Sequence, residues 1–144
     1  MKKTPALASA LMIFLLWSRA HAQPAPAGPQ HISRADIERM FAELAVRPGF
    51  FPKGNLRWGY YFLGTDRAKL ETAAQLLAAQ GYTLIGIEPV QKGIPHLPDT
   101  WELHVERVEH HTPDTLLARD EVLYAFAAQQ GLDRYDGMEA APEK

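Results

Sequence analysis

The spacing of apolar residues predicts three amphipathic helices. The first covers residues 32–46, where side chains at i, i+3, i+4 and i+7 form one apolar face: Ile37, Met40, Phe41 and Leu44. Ser33 and Asp36 precede it at the spacing of a capping box. The second helix begins at Thr65 or Asp66 and ends at Gly81. The third begins at Thr112 and ends at Gly131, and its predicted buried residues are Leu116, Val122, Leu123 and Phe126.

Four segments predict β-strands, at residues 58–63, 82–90, 101–111 and 132–138. The third strand alternates between apolar residues and the polar residues Glu102, His104 and Glu106, which predicts one buried and one polar face. Val108 breaks this alternation, so we expect a β-bulge near Arg107. The second strand contains a proline near its end and is expected at an edge of the sheet.

The order of elements is a helix followed by β-α-β-β-α-β. This order predicts an α+β fold, a ferredoxin-like sandwich with a four-stranded antiparallel sheet and an additional N-terminal helix. The first and third strands would lie at the centre of the sheet. We expect the N-terminal helix to cover part of the face that the other two helices leave open. The domain is predicted to span residues 32–139 and to end in a polar tail at 140–144.

The N-terminus has the three parts of a secretory signal peptide. Lys2 and Lys3 precede an apolar stretch, Ala6–Trp17, of about twelve residues, and Ala20-His21-Ala22 is a small-x-small cleavage site. A permanent transmembrane helix needs roughly 20 apolar residues, so we expect cleavage near Ala22 in preference to an uncleaved anchor. Residues 23–31 form a Pro/Ala-rich tether. The predicted location is secreted, in a bacterial periplasm.

Charge and composition exclude several classes of function. Removal of residues 1–22 takes away three of the 15 basic side chains and none of the 17 acidic ones, which leaves a formal charge of −5. An acidic domain is not expected to bind nucleic acid, although its aromatic first strand has the residue types of an RNA-stacking platform. The chain has no cysteine, which excludes disulfides, thiolate catalysis and cysteine-ligated metals.

The densest chemistry lies between residues 101 and 114. His104 and Glu106 share a strand face, and imidazole and carboxylate groups are suitable ligands for zinc. No His-x-x-x-His pattern is present, and solvated ion pairs on the strand are the favoured interpretation. Ser33 is the single serine after residue 22 and is already a helix cap, so a Ser-His-Asp triad is not expected. We therefore predict no catalytic residues, no metal site and no cofactor, and a protein that is not an enzyme.

The sequence also resembles a known family. Tyr60-Tyr61-Phe62-Leu63 before a helix, the Gly81-Tyr82 step into a strand, and Leu132-Asp-Arg-Tyr-Asp-Gly137 after the last helix resemble the RraB family, the regulator of ribonuclease E activity B. The resemblance covers about residues 56–139, but Met138 stands where the family has tryptophan. It implies a ferredoxin-like domain and, for the family's namesake, inhibition of an endoribonuclease by protein binding.

These observations predict an exported variant of the RraB domain that binds another protein and acts as an inhibitor or an immunity-type antagonist. Two alternatives remain: a ribonuclease E inhibitor in the cytoplasm, if the signal is not used, or a small periplasmic enzyme or metal-binding protein that uses His104 and Glu106. We expect neither nucleic acid nor a permanent membrane anchor among its interactions. The predicted partner-binding residues are Glu102, His104, Glu106, His110, Asp114, Tyr135, Asp136 and Gly137.

Overall fold

A four-stranded antiparallel sheet with the strand order β2-β3-β1-β4 is the centre of the fold. The computed structural model describes residues 31–50 and 53–143, so the predicted signal peptide and almost all of the tether lie outside the described residues. The prediction of a ferredoxin-like α+β sandwich with an additional N-terminal helix is confirmed. The elements are α1 (Arg34–Ala45), β1 (Leu56–Gly64), α2 (Arg67–Ala79), β2 (Thr83–Pro89), β3 (Trp101–Glu109), α3 (Pro113–Gln129) and β4 (Arg134–Pro142).

Local sequence signals set the ends of the helices. The Ser33 hydroxyl accepts a hydrogen bond from the Asp36 backbone N–H, and the Asp36 carboxylate accepts one from the Ser33 N–H, which completes the predicted capping box. Asp66 caps α2 by accepting hydrogen bonds from the backbone N–H groups of Ala68 and Lys69, and Thr112 forms a capping box with Thr115 at the start of α3. Gly81 and Gly131 follow α2 and α3 with φ angles of 93° and 65°, the left-handed conformation that glycine adopts without a steric penalty.

The core lies between one face of the sheet and the three helices. This inner face carries every second residue of the two central strands, and its apolar residues Trp58, Tyr60, Phe62, Leu103 and Val105 are almost fully buried. The helices add apolar side chains at helical spacing. The largest wholly buried apolar residues are Trp58, Tyr60, Phe62, Leu103, Val105, Ile37, Leu70, Leu77, Leu116 and Leu123.

The predicted position of the N-terminal helix is wrong. The ring centroids of Phe41 and Trp58 are 6.0 Å apart, and Trp58 belongs to the inner face. The backbone N–H of Ile32 donates to the Tyr124 hydroxyl at 2.9 Å, which ties the start of α1 to α3. The helix therefore lies on the same side of the sheet as α2 and α3. Its apolar face finds apolar partners there, whereas the opposite face of the sheet offers mainly charged side chains.

The predicted bulge near Arg107 is also wrong. β3 pairs with β1 from Trp101 to Glu109 without a register shift, and Val108 is simply an apolar residue with 48% exposure on the outer face. The two observed irregularities lie in β2, between Leu84 and Gly86, and where β4 pairs with β1. β3 ends at Glu109, two residues earlier than predicted.

Two further expectations about the C-terminal half need correction. β4 does not stop at Met138 but continues to Pro142, because it pairs with the whole length of β1, as far as Leu56. The predicted tail at 140–144 thus contributes to the sheet. On α3, Val122 is 60% exposed, whereas Asp120 is wholly buried. The buried face of α3 therefore follows Leu116, Asp120, Leu123 and Ala127.

Candidate functional site

The face of the sheet opposite the helices carries a cluster of polar side chains. We call it the open face, because in the part of the chain that the structure describes all three helices pack on the other side. The register of the strands brings charged and aromatic side chains of neighbouring strands next to each other on this face. The residues of the open face considered below are Arg57, Gly59, Tyr61, Glu88, Glu102, His104, Glu106 and Glu139.

A stacked pair of rings lies at the centre of the open face. Tyr61 and His104 are direct cross-strand neighbours, with ring centroids 4.3 Å apart and planes inclined by 18°. Gly59 makes this arrangement possible, since a Cβ atom at that position would lie 2.8 Å from His104 Nε2. The Tyr61 hydroxyl donates a hydrogen bond to Glu139. Gly59 in β1 thus leaves space for the imidazole. The Tyr61 ring contacts both strands next to β1, through His104 on β3 and Glu139 on β4.

The charges on the open face are arranged around Glu106. Its carboxylate lies 3.5 Å from Arg57 Nε and 3.6 Å from His104 Nε2, and all three side chains are between a fifth and a third exposed. Burial lowers the pKa of His104, although Glu106 and Glu139 act in the opposite direction. The imidazole is therefore neutral at pH 7 and adds no positive charge. Burial and the hydrogen bond to Glu139 raise the pKa of Tyr61, so its hydroxyl stays protonated as a donor.

A second polar cluster lies on the inner side, at the end of β3. Glu109 accepts a hydrogen bond from the Tyr60 hydroxyl at 2.7 Å and two from Arg119, at 3.1 and 3.0 Å. His111, only 5% exposed, lies 3.1 Å from both Glu109 and the Tyr60 hydroxyl and 3.0 Å from the Thr115 hydroxyl. Every member has partners within the fold. We therefore interpret this cluster as a structural clamp between β3 and α3.

His110 and Asp114 lie away from the open face. His110 Nδ1 is 3.0 Å from the carbonyl oxygen of Gly54, and Asp114, in the first turn of α3, pairs with Arg34 of α1. A shallow groove beside them is lined by Phe41, Lys53, His110, His111, Thr112 and Pro113. The structure thus separates the predicted partner-binding residues into two regions, with Glu102, His104 and Glu106 in one and His110 and Asp114 in the other.

The Tyr-Asp-Gly segment of residues 135–137 lies inside β4. Tyr135 is 3% exposed and its hydroxyl donates to Asp120 at 2.7 Å, so its side chain belongs to the core. Asp136 is the extra residue of a bulge and pairs with Arg134 at 3.1 Å. Gly137 has a φ of 109°, which favours glycine. The motif shapes the strand, and of its two side chains only that of Asp136 is partly exposed.

Neither a metal site nor a membrane span is found among the described residues. Within residues 31–50 and 53–143 no group of three or more His, Asp or Glu side chains is placed to hold a metal ion. None of the helices in that part of the chain is long and apolar enough to cross a membrane.

Two features of the structure were not predicted from the sequence: the burial of Asp120 and the clamp around Glu109. Asp120 looks like a surface residue, because it stands between Arg119 and Glu121. Its spacing from Leu116 and Leu123 would have identified it as buried. The clamp forms because β3 ends at Glu109 and α3 packs across the end of that strand. No local sequence pattern predicts this contact between β3 and α3.

Comparison with protein families decides what kind of domain this is. The model for the regulator of ribonuclease activity B, RraB, matches residues 35–140, from the second residue of α1 almost to the end of β4. The chain belongs to the RraB family. A search of curated proteins finds no match. The RraB match includes α1 as well as the sandwich, and it makes this a regulatory domain of a family that acts by protein binding.

Proposed function

We propose that this RraB-family protein is exported, is processed after Ala22, and acts outside the cytoplasm as a non-enzymatic antagonist of another protein. The observation that carries the proposal is the combination of an RraB domain over residues 35–140 with a signal-peptide pattern over residues 1–22. The family supplies regulation by protein binding. The signal peptide would direct the protein out of the cytoplasm, whereas a ribonuclease that acts on cytoplasmic RNA stays inside it.

The charge of the domain supports a protein partner. The processed chain has 12 basic and 17 acidic side chains, which does not favour binding to phosphate backbones. The polar residues of the open face lie on the strands of the sheet and are partly exposed. Such a surface offers hydrogen bonds and charges at fixed positions, as protein interfaces require.

Cell fractionation combined with intact-mass measurement tests the location. The expected product is a periplasmic protein whose mass corresponds to a chain beginning at Gln23. The matched control replaces Ala20 and Ala22 with leucine, which removes the small-x-small site and leaves the apolar stretch unchanged. This variant should keep its full mass and remain with the membrane fraction. A full-length, cytoplasmic wild-type protein would refute the export proposal.

The family assignment favours a second candidate function, inhibition of ribonuclease E. It applies if the leader is not used and the domain stays in the cytoplasm. Purified domain added to a ribonuclease E cleavage assay should then slow RNA cleavage in proportion to the amount of complex formed. Unchanged cleavage at saturating domain concentration would eliminate this candidate.

A further inference from the structure

The strand β2 forms one edge of the sheet. Among the described strands it pairs with β3 alone, so that within this part of the chain no strand lies along its other side. Two apolar side chains of this edge, Leu84 and Ile85, are 49% and 50% exposed. A strand with one unpaired row of backbone N–H and C=O groups is a template for pairing with another chain.

The opposite edge of the sheet, β4, is better protected against such pairing. Charged residues on an edge strand discourage the approach of another strand, and β4 carries Arg134, Asp136 and Glu139 along its length. In contrast, β2 has no charged residue between residues 83 and 87. Both strands contain a bulge and end in a proline, so these two features do not distinguish them. Of the two edges, β2 is the one open to pairing.

Residues 23–30, which precede the described part of the chain, are poorly suited to cover the β2 edge. They contain three prolines, Pro24, Pro26 and Pro29, and proline has no N–H to donate to a neighbouring strand. Residues 1–22 are expected to be removed with the signal peptide. A second molecule is therefore the better source of a pairing strand.

The side chains of β2 are complementary to those of an antiparallel copy of the same strand. Leu84 and Ile87 lie opposite buried residues of β3, which places both on the inner face. Thr83, Gly86 and Glu88 lie on the open face. Because the register shifts between Leu84 and Gly86, the strand has apolar residues on the inner side both before and after the bulge.

We propose that two copies of this chain associate by antiparallel pairing of their β2 strands about a two-fold axis at Gly86. In this register Gly86 faces Gly86 of the second copy, Leu84 faces Ile87, and Thr83 faces Glu88. Apolar side chains then meet on the inner side, and a hydroxyl meets a carboxylate on the open side. Glycine at the axis lets the two backbones approach closely. This interface lies at the sheet edge and does not depend on the proposed function.

The charges near β2 are compatible with this pairing. The two Glu88 residues would lie on opposite sides of the axis, about 13 Å apart along the strands. On α2, Lys69 points toward Gly131, where a Cβ atom would lie 3.3 Å from its Nζ. Arg67 and Glu71 lie about 200° around the helix from Lys69 and so face the β2 side. They pair at 3.6 Å, and the two-fold axis presents the same neutral pair in the reverse direction.

A cysteine at the axis tests the register, because the chain has no cysteine of its own. Gly86→Cys would place two thiols directly opposite each other, at a Cα separation that a disulfide can bridge. The strand can accept this side chain, since the nearest atom to a Cβ there is Glu88 Oε1 at 3.4 Å. Mild oxidation should convert most of the protein to a covalent dimer. The matched control, Gly93→Cys in the loop after β2, should remain monomeric, and equal cross-linking of both variants would overturn the proposal.

Sedimentation velocity tests association without an introduced cysteine. The processed wild-type chain should shift from monomer to dimer as its concentration rises. Ile85→Lys brings two like charges together beside the axis and should raise the dimer dissociation constant about tenfold or more. Val122→Lys adds the same charge at a residue that is 60% exposed on α3, and it should leave the dissociation constant unchanged. A wild type that is monomeric at every concentration, or equal weakening by both variants, would overturn the proposal.

The competing occupant of the β2 edge is a strand from a different protein. A monomeric wild type whose partner from the exported fraction is lost in Ile85→Lys would assign the edge to that partner and refute self-association. A dimer that is weakened by Ile85→Lys while capture of the partner stays unchanged would support self-association. That second result would leave the proposed antagonist function to be judged on its own tests.

Discussion

Asp120 is the most unusual side chain in the core. It is wholly buried on α3, its Oδ1 accepts the hydrogen bond from Tyr135, and its Oδ2 has no hydrogen-bond partner among the residues that the structure describes. A carboxylate in such a place is costly, because burial disfavours the charged form. Burial therefore raises the pKa of Asp120 to about 7, against the opposing effect of the Tyr135 hydrogen bond. The neighbouring charges of Glu121 and Arg119 have smaller and opposite effects.

Replacing Asp120 with asparagine should remove a pH dependence of stability. A raised carboxyl pKa stabilises the fold fully below the unfolded pKa, near 4, and that contribution is lost as the pH rises through about 7. Relative to Asp120→Asn, the wild type should lose roughly 4 kcal/mol of unfolding free energy between pH 4 and pH 8. Urea unfolding at four pH values measures this. The control is Glu71→Gln, at an exposed carboxylate of α2, which should run parallel to the wild type.

Glu109 has the opposite titration behaviour. Burial by itself would raise its pKa, but hydrogen bonds from His111 and Tyr60 and the charge of Arg119 outweigh burial and lower that pKa to about 2. Its contribution to stability is therefore present above the unfolded pKa and is lost only as the pH falls toward 2. The Glu109 carboxylate is thus ionised over the pH range in which Asp120 titrates, so its own charge does not change during that measurement.

Removing the charge of Glu109 should weaken the contact between β3 and α3. Glu109→Gln leaves Arg119 without its anion and should cost about 1–3 kcal/mol of unfolding free energy at pH 7. A double-mutant cycle with Arg119→Met should give a coupling energy of about 1 kcal/mol or more. Strictly additive losses would mean that the ion pair contributes nothing. His110→Gln, at the exposed neighbour outside the clamp, is the control.

At the scale of the elements, the bulge in β4 depends on one glycine. Gly137 has a φ of 109°, and its neighbour Tyr135 must return to the inner face to reach Asp120. Gly137→Ala should lower the unfolding free energy by about 1–3 kcal/mol, because a side chain is strained in that conformation. Gly93→Ala is the matched control, since a Cβ at Gly93 would meet nothing within 4 Å. Similar losses in both variants would remove the bulge as the cause.

The elements themselves were largely predictable, and their relation to one another was not. Caps and stops such as Ser33, Thr112 and Gly131 act within a few residues, so the helices could be located from sequence. The length of β4, and the position of Val108 on the outer face of β3, depend on pairing with β1, which is distant in the chain. For the same reason the open-face residues Glu102, His104 and Glu106 were identified from alternation on one strand, but their partners on the neighbouring strands were not.

At the scale of the whole molecule, the sandwich is asymmetric. All three described helices cover the inner face, so the apolar surface of the sheet is used for stability and its polar surface faces away from the helices. The extra helix α1 strengthens this division, because it packs beside α3 and leaves the open face uncovered. Its attachment therefore bears on the stability of the fold.

Tyr124 on α3 holds the start of α1 in place. Its hydroxyl accepts the Ile32 N–H at 2.9 Å, and its ring stacks on His31 at 3.8 Å. Tyr124→Phe keeps the ring and removes the acceptor, which leaves a partly buried N–H without its partner at a cost of about 1–2 kcal/mol. We expect faster amide hydrogen exchange in α1 and unchanged exchange in β1 and β3.

Tyr61→Phe is the matched control for that experiment, because it removes a hydroxyl from the open face, where Glu139 accepts its hydrogen bond. It should leave exchange in α1 at the wild-type rate. If Tyr124→Phe accelerates exchange in the central strands as much as in α1, then α1 is an integral part of one cooperative unit. Faster exchange confined to α1 would instead mean that the helix opens locally while the sheet, with its open face, remains folded.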